Sequence, residues 1–227
     1  MVRPQDLKLP YEINETSKKA PIIFHDHFWS VPPWVDLKTF SFPGWDQLFN
    51  RKAPVVVEYC SGHGHWIVEL AKQHPEFNWL AVEKRFDRAK KIWSKIKNNG
   101  LINCIVACAE GGQLTSGYFP NGSIEQVYIN FPDPWPKTRH AKHRIMSNPF
   151  LDEMKRVLTP SGTVTFVTDD EDYSKIFFKI MGKRTDFSHL IPEPHFGPLP
   201  DDYGISFFEE IFREMGKVNR FHKIGKR

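Results

Sequence analysis

Residues 54–74 read PVVVEYCSGHGHWIVELAKQH, and the order of events in this stretch decides the fold. PVVVEY is a short β-branched strand, CSGHG a turn, and HWIVELAKQH a helix that carries Trp66, Ile67, Leu70 and Ala71 on one side. That is a βα unit. A second follows directly: FNWLAVEK reads as a strand, and RFDRAKKIWSKIKNNG as a helix that turns Phe86, Ala89, Trp93 and Ile96 to the core and closes on Gly100.

The alternation continues downstream. INCIVACAE is a third strand and, after the turn PNGS, IEQVYIN is a fourth. NPFLDEMKRVL predicts a helix with Asn148 as N-cap, Pro149 at the first helical position and Leu151, Met154, Val157 and Leu158 along one stripe. The helix stops at TPSG, TVTFVTDD is a fifth strand, and EDYSKIFFKIMG a further helix. Strands and helices at this spacing predict an α/β fold, a doubly wound and mostly parallel sheet, with ligands beyond the carboxyl ends of the strands.

Flanking segments are less regular. Residues 1–50 show no clean period but carry HFWSVPPW and FSFPGW, which predicts an N-terminal arm packed on or crossing a single domain of residues 51–227. Pro192, Pro194, Pro198 and Pro200 exclude helix and central strand from 184–204, which reads as a long ordered loop placed to act as a lid. ISFFEEIFREMGKVNRFHKI reads as an antiparallel C-terminal hairpin turning near Gly216, with helix as the alternative for FFEEIFREM, and residues 216–227 as a basic tail.

Composition narrows the class. A chain of 227 residues with 40% hydrophobic and 14% aromatic content buries a sizeable core. It contains no apolar run of membrane-spanning length and begins MVRPQDLKLP, without a secretory core, so a cytoplasmic location is expected. Cys60, Cys104 and Cys108 form no CxxC pair, which argues against a disulfide framework or a zinc site. His25 and His27 in HDH lack further ligands, and no metal is expected. Net charge is only +4, yet two stretches are strongly basic: KTRHAKHR at 137–144 and GKVNRFHKIGKR at 216–227.

The strand ends carry the chemistry. Gly62 and Gly64 at the first βα turn allow close backbone approach to a ligand and precede the free N–H groups of a helix start. The third glycine of a dinucleotide fingerprint is replaced by Ile67, which disfavours NAD. Glu83, nineteen positions beyond Gly64, ends the second strand where an acid accepts both ribose hydroxyls of a nucleoside cofactor. Glu110 closes the third strand, where a side chain meets an adenine edge. Cys60 beside His63 has no orienting third group, so it reads as a small buried residue at a tight turn. The fourth strand runs into NFPDPWPKTRHAKHR, residues 130–144, where Pro132, Pro134 and Pro136 fix the directions of Asp133 and Trp135. The helix face of Arg85, Arg88, Lys91 and Lys95 reads as solvated surface.

PDPWPKTRHAKHR followed by FVTDDEDY resembles the tRNA (guanine-N7)-methyltransferase family, and the resemblance extends over roughly residues 54–215 through VEYCSGHG, HPEFNWLAVEK and SFFE. It implies a Rossmann-like methyltransferase fold, S-adenosylmethionine as cofactor, and a guanine in tRNA as substrate. Carried over by position, Glu58, Gly62, Gly64, Glu83, Glu110 and Asp133 match cofactor-site positions, and Asp133 also matches the catalytic one. Lys137, Asp169, Ser206, Phe207, Phe208 and Glu209 match substrate contacts. Arg139, Lys142 and Arg144 are expected on RNA phosphates. Three departures stand out: Cys60 where the first glycine is usual, Glu110 for aspartate and Ser206 for threonine. They motivate the rival reading of a catalytically silent RNA-binding or scaffold protein. A likeness of the proline motif to the loop of amino-directed DNA methyltransferases is disfavoured, because the chain has no spare domain to read DNA. The division of labour between Asp133 and Asp169 stays open, as does the choice between monomer and homodimer.

Overall fold

The computed structural model of the protein describes residues 1–9, 22–32, 41–204 and 217–227. They fall into two compact units, Met1–Pro120 and Asn121–Arg227. Among the described residues no helix is long and apolar enough to cross a membrane.

The first unit contains strands β1 (Ile23–His25), β2 (Phe28–Ser30), β3 (Val55–Tyr59), β4 (Asn78–Glu83) and β5 (Cys104–Cys108). Its helices are α1 (Trp45–Phe49), α2 (His65–Gln73), α3 (Phe86–Asn98) and α4 (Gly111–Tyr118). The strands lie in the order β1-β2-β5-β4-β3, parallel from β2 to β3, with β1 antiparallel at the edge. Every residue of β3, β4 and β5 is buried, as uninterrupted apolar runs require when helices cover both faces.

The HDH stretch has a structural explanation. Asp26 and His27 alone join β1 to β2, both with positive φ (46° and 66°), the pair of left-handed residues that a two-residue hairpin turn demands. His27 Nδ1 lies 2.9 Å from the Cys104 carbonyl, and Trp93 Nε1 donates to the Asp26 carbonyl at 2.8 Å. The segment expected as an arm therefore extends the sheet through β2.

Gly64 is the tightest point of this unit. Its φ is +69°, and a Cβ there would stand 2.7 Å from Cγ1 of Ile92 on α3, so the turn before α2 packs directly on α3.

The second unit contains β6 (Ile124–Asn130), α5 (Asn148–Val157), β7 (Leu158–Thr168), α6 (Glu171–Met181), β8 (Phe187–His189) and β9 (Arg220–Lys226). Strand order is β6-β7-β9-β8, with β6 parallel to β7 and β9 antiparallel to both its neighbours. Four sequence expectations change here. The N-cap of α5 is Ser147, with Asn148 inside the helix, and Leu158 opens β7 instead of ending the helix stripe. The loop 184–204 includes β8. The basic tail is largely strand β9, held between β7 and β8. Residues 205–216, where the hairpin turn or alternative helix was expected, lie outside the described residues.

Within β9, His222 is fully buried among Phe166, Phe177, Phe178 and Phe196. Its Nε2 lies 3.0 Å from Ser174 Oγ, and its Nδ1 is 3.2 Å from the His195 carbonyl. Burial lowers its pKa to about 4; the His195 carbonyl opposes the shift, and His189 and Arg220 reinforce it.

Two predictions follow from this packing. Gly64→Ala, which meets both backbone strain and Ile92, should cost about 2–4 kcal/mol in urea unfolding. Gly100→Ala, with φ +61° but nothing within 4 Å of the added carbon, should cost only about 1–2 kcal/mol. His222 stays neutral when folded while the unfolded chain protonates it below the ordinary histidine value of 6.5, so its contribution is complete above that pH and is lost as pH falls toward about 4. The wild type should lose on the order of 2–3 kcal/mol more than His222→Gln between pH 7 and pH 4.5, measured by denaturant unfolding.

Candidate active site

At the carboxyl ends of β3 and β4 the first unit places its acids and glycines together. Glu83 is 5% exposed. Its Oε2 accepts the Gly62 N–H at 2.9 Å and its Oε1 the Arg85 N–H at 2.8 Å, which ties the glycine turn to the start of α3. Burial raises the Glu83 pKa; the Arg85 N–H, the Arg88 charge and the Gly62 N–H pull the other way. Gly62 (φ +56°) and Gly64 shape the turn, and Ser61 secures it by donating its hydroxyl to the Glu58 carbonyl at 2.9 Å and its N–H to the Val82 carbonyl at 3.2 Å. Glu58 is 2% exposed on β3, one strand over from Glu83.

Two residues of this unit depart from expectation. Cys60 is exposed and sits at φ +61°, so the position that reads as a small buried residue is a solvent-facing left-handed one, the conformation that favours glycine. Glu110 caps a helix: its Oε2 accepts the Gln113 N–H at 2.7 Å at the start of α4. The remaining acceptor positions of its carboxylate are what a ligand would meet.

In the second unit, the proline segment leaves β6 through a strained path. Phe131 (φ +47°) and Trp135 (φ +46°) both precede prolines, which crowd the right-handed helical region, and both adopt left-handed conformations rare for bulky residues. Two attachments hold this path. The Phe131 N–H donates to the Val167 carbonyl at 2.9 Å, continuing the β6–β7 ladder. Arg144 reaches back ten residues: Nε donates to the Pro134 carbonyl and Nη2 to the Trp135 carbonyl, each at 2.8 Å. Between them Asp133 is exposed. The Trp135 ring packs on His140 (5.6 Å between centroids) and His143 (5.2 Å).

Arg144 thus corrects an expectation. Grouped by sequence with the phosphate-contacting cations, it is half-buried and clamps the backbone on either side of the Trp135 peptide. Lys137, Arg139 and Lys142 are exposed along the short 3-10 segment Thr138–His143. Asp169, at the end of β7, is ion-paired with Lys217. Arg220 pairs with Glu171 at 3.3 Å, and Lys226 donates to the Leu158 carbonyl at 3.1 Å, so much of the basic C-terminal stretch is engaged within the protein. Tyr203, from the long loop, hydrogen-bonds Asn130 at the end of β6, which anchors that loop next to the proline segment. Sequence reasoning missed Tyr203 and the Arg144 clamp; an arginine ten residues from a rigid turn gives no periodic signal. Ser206, Phe207, Phe208 and Glu209 lie outside the described residues, and no group of three or more His, Cys, Asp or Glu suited to a metal occurs among the described ones.

Solved methyltransferases share this architecture. The 30S ribosomal A1408 methyltransferase from an uncultured bacterium matches over 85% of this chain and 95% of its own, with 14% identity and a TM-score of 0.53. A methyltransferase from Streptococcus mutans, solved with S-adenosylhomocysteine, matches over 78% of this chain and 90% of its own, with 14% identity and a TM-score of 0.51. The fold is therefore that of the Rossmann-like methyltransferases. A family model described as "Putative methyltransferase" matches residues 52–220. The tRNA (guanine-N(7)-)-methyltransferase of Chlamydia trachomatis is 40% identical over 217 residues, covering 95% of this chain and 94% of that protein. The chain belongs to the tRNA (guanine-N7)-methyltransferase family.

The clamp yields a prediction. Two hydrogen bonds from a charged donor, each worth about 1.5–3 kcal/mol, hold a backbone that is strained by a comparable amount. Arg144→Ala should lower methyl-transfer turnover at least 10-fold, with Arg144→Lys little better because a lysine lacks the fork that spans two carbonyls. The salt dependence of RNA binding should not change, since the guanidinium contacts protein; turnover assays and a salt titration of binding check both parts.

Proposed function

We propose that the protein transfers a methyl group from S-adenosylmethionine to N7 of a guanine in tRNA. The observation that carries this is 40% identity over nearly the whole length to a curated enzyme of that name, with the acids at the strand ends and the rigid proline segment all present.

The residues of the first unit suit a nucleoside cofactor. Glu83 uses one lone pair on each oxygen for backbone N–H groups, and the others remain for two ribose hydroxyls. The Gly62–Gly64 turn, kept close to α3 because Gly64 has no side chain, bares backbone for approach. Glu58 and Glu110 complete the acid set, with Glu110 free to offer an adenine only what the α4 cap leaves. When bound, S-adenosylmethionine supplies a methyl group on a sulfonium sulfur, and transfer forms the N7–carbon bond as the carbon–sulfur bond breaks.

Guanine N7 carries a lone pair and no proton, so the protein has no strong general base to provide. Its task is alignment. Asp133, exposed on a segment fixed by three prolines and Arg144, accepts hydrogen bonds from guanine N1–H and the amino group and stabilises the positive charge that develops on the purine. Asp169 shares this role after exchanging Lys217 for substrate. Lys137, Arg139 and Lys142 neutralise phosphates, and Ser206, Phe207, Phe208 and Glu209 add substrate contacts by family position. A tRNA substrate supports a cytoplasmic location.

Incubating the pure protein with unmodified tRNA and labelled cofactor, then analysing nucleosides by mass spectrometry, tests the reading: 7-methylguanosine should appear. Binding of tRNA without transfer would overturn it in favour of a silent RNA-binding protein. Asp133→Ala should abolish transfer while the far-UV circular dichroism stays native, and full activity in that variant would remove Asp133 from its role.

A further inference from the structure

Three of the six cations from Arg85 to Lys97 pair with an acid or lie against an aromatic ring. Arg85 pairs with Asp87 at 3.0 Å, Lys97 with Asp26 at 2.7 Å, and Lys90 lies 4.9 Å from the Phe86 ring centroid. Arg88, Lys91 and Lys95 are the other three. They follow one another at spacings of three and four, which aligns them on one stripe of the helix, and among the described residues no carboxylate forms a salt bridge with any of them. The nearby acids are already engaged: Asp87 by Arg85, and Glu83 by the N–H groups of Gly62 and Arg85.

The stripe is widened by the glycine turn. Because Gly64 packs against Ile92, the turn lies beside the middle of α3, and Lys95 Nζ donates to the His63 carbonyl at 2.8 Å. His63 and His65, with rings 6.4 Å apart, join the same cluster. Both flanking groups, Lys95 and His63, are partly buried. Burial, helped by Lys91, lowers the Lys95 pKa to about 8, and burial together with Lys91, Arg88, Lys95 and His65 lowers that of His63. Like charges gathered on one face destabilise a folded surface. A polyanion relieves that repulsion and gains affinity by releasing its own counterions. From Arg88 to Lys95 the helix rises by roughly 10 Å, a length that serves a chain of phosphates better than one small anion.

We propose that Arg88, Lys91 and Lys95, with His63 and His65 beside them, form a surface for backbone phosphates of the RNA substrate, in addition to the basic run at 137–144. This replaces the sequence expectation of a merely solvated helix face, and it rests on the reading of tRNA as substrate. The contacts are to phosphates, so they position the RNA and add affinity without reading its sequence.

Lys91 is exposed, which makes it a safe probe of the stripe. Binding of unmodified tRNA should be measured by fluorescence anisotropy across a monovalent salt series for the wild type, Lys91→Gln and Lys91→Glu, with S-adenosylhomocysteine affinity measured by calorimetry on the same preparations. The slope of log affinity against log salt should shallow by roughly 0.7–0.9 for Lys91→Gln and further for Lys91→Glu, whose carboxylate also neutralises its neighbours. Cofactor-product affinity should match wild type. An unchanged slope in both variants overturns the proposal, and a loss of S-adenosylhomocysteine affinity at unchanged slope assigns the stripe to the cofactor instead. Wild-type transfer to the same tRNA is the separating control: its absence defeats the functional reading, whereas an active wild type with unchanged variant slopes defeats only the stripe.

Discussion

The first unit is organised by one buried carboxylate. Glu83 ends β4 at 5% exposure and accepts the N–H groups of Gly62 and Arg85, so one side chain connects the turn after β3 to the entry of α3. Taking a carboxylate out of water is costly, and the raised pKa reports that burial dominates over the favourable bonds. The two N–H donors lessen that cost and fix the carboxylate's orientation. The glycine turn can then lie against Ile92 and present backbone where a ligand needs it, because a preorganised acceptor has no rearrangement left to make when a hydroxyl arrives.

The second unit solves a related problem with backbone alone. Its key acid, Asp133, has to be exposed to meet a base, so it is not held by burial. Rigidity comes from its neighbours: prolines restrict the chain, Phe131 and Trp135 take up left-handed conformations, and Arg144 donates to the carbonyls of Pro134 and Trp135. Strain of this kind persists only where surrounding structure over-determines it. The half-buried guanidinium and the His140–Trp135–His143 cluster supply that determination.

Charge divides along the same lines. Lys217, Arg220 and Lys226 stand in the strongly basic C-terminal stretch, yet each is engaged inside the protein. Arg88, Lys91 and Lys95 sit in a helix that is itself basic, with five lysines and arginines in thirteen residues, and form no salt bridge among the described residues. Two stretches of similar lysine and arginine density therefore differ in how folding engages their cations: the C-terminal stretch has ion pairs with Asp169 and Glu171, and the α3 stripe has none.

The sequence by itself determined the βα units, the parallel core strands and the identity of the acids at their ends, since β-branched runs, helical stripes and glycine turns are local patterns whose energetics are decided within a few residues. It also carried the family, through the proline segment. Only tertiary structure decided that β2 and β9 extend the sheets of their units, that Glu110 caps α4, that Cys60 faces solvent in a left-handed conformation, and that Arg144 clamps the backbone of the proline segment. Each of these rests on a hydrogen bond, a burial state or a backbone angle set by how the folded chain surrounds the residue, and such three-dimensional surroundings leave no periodic trace in the order of the residues.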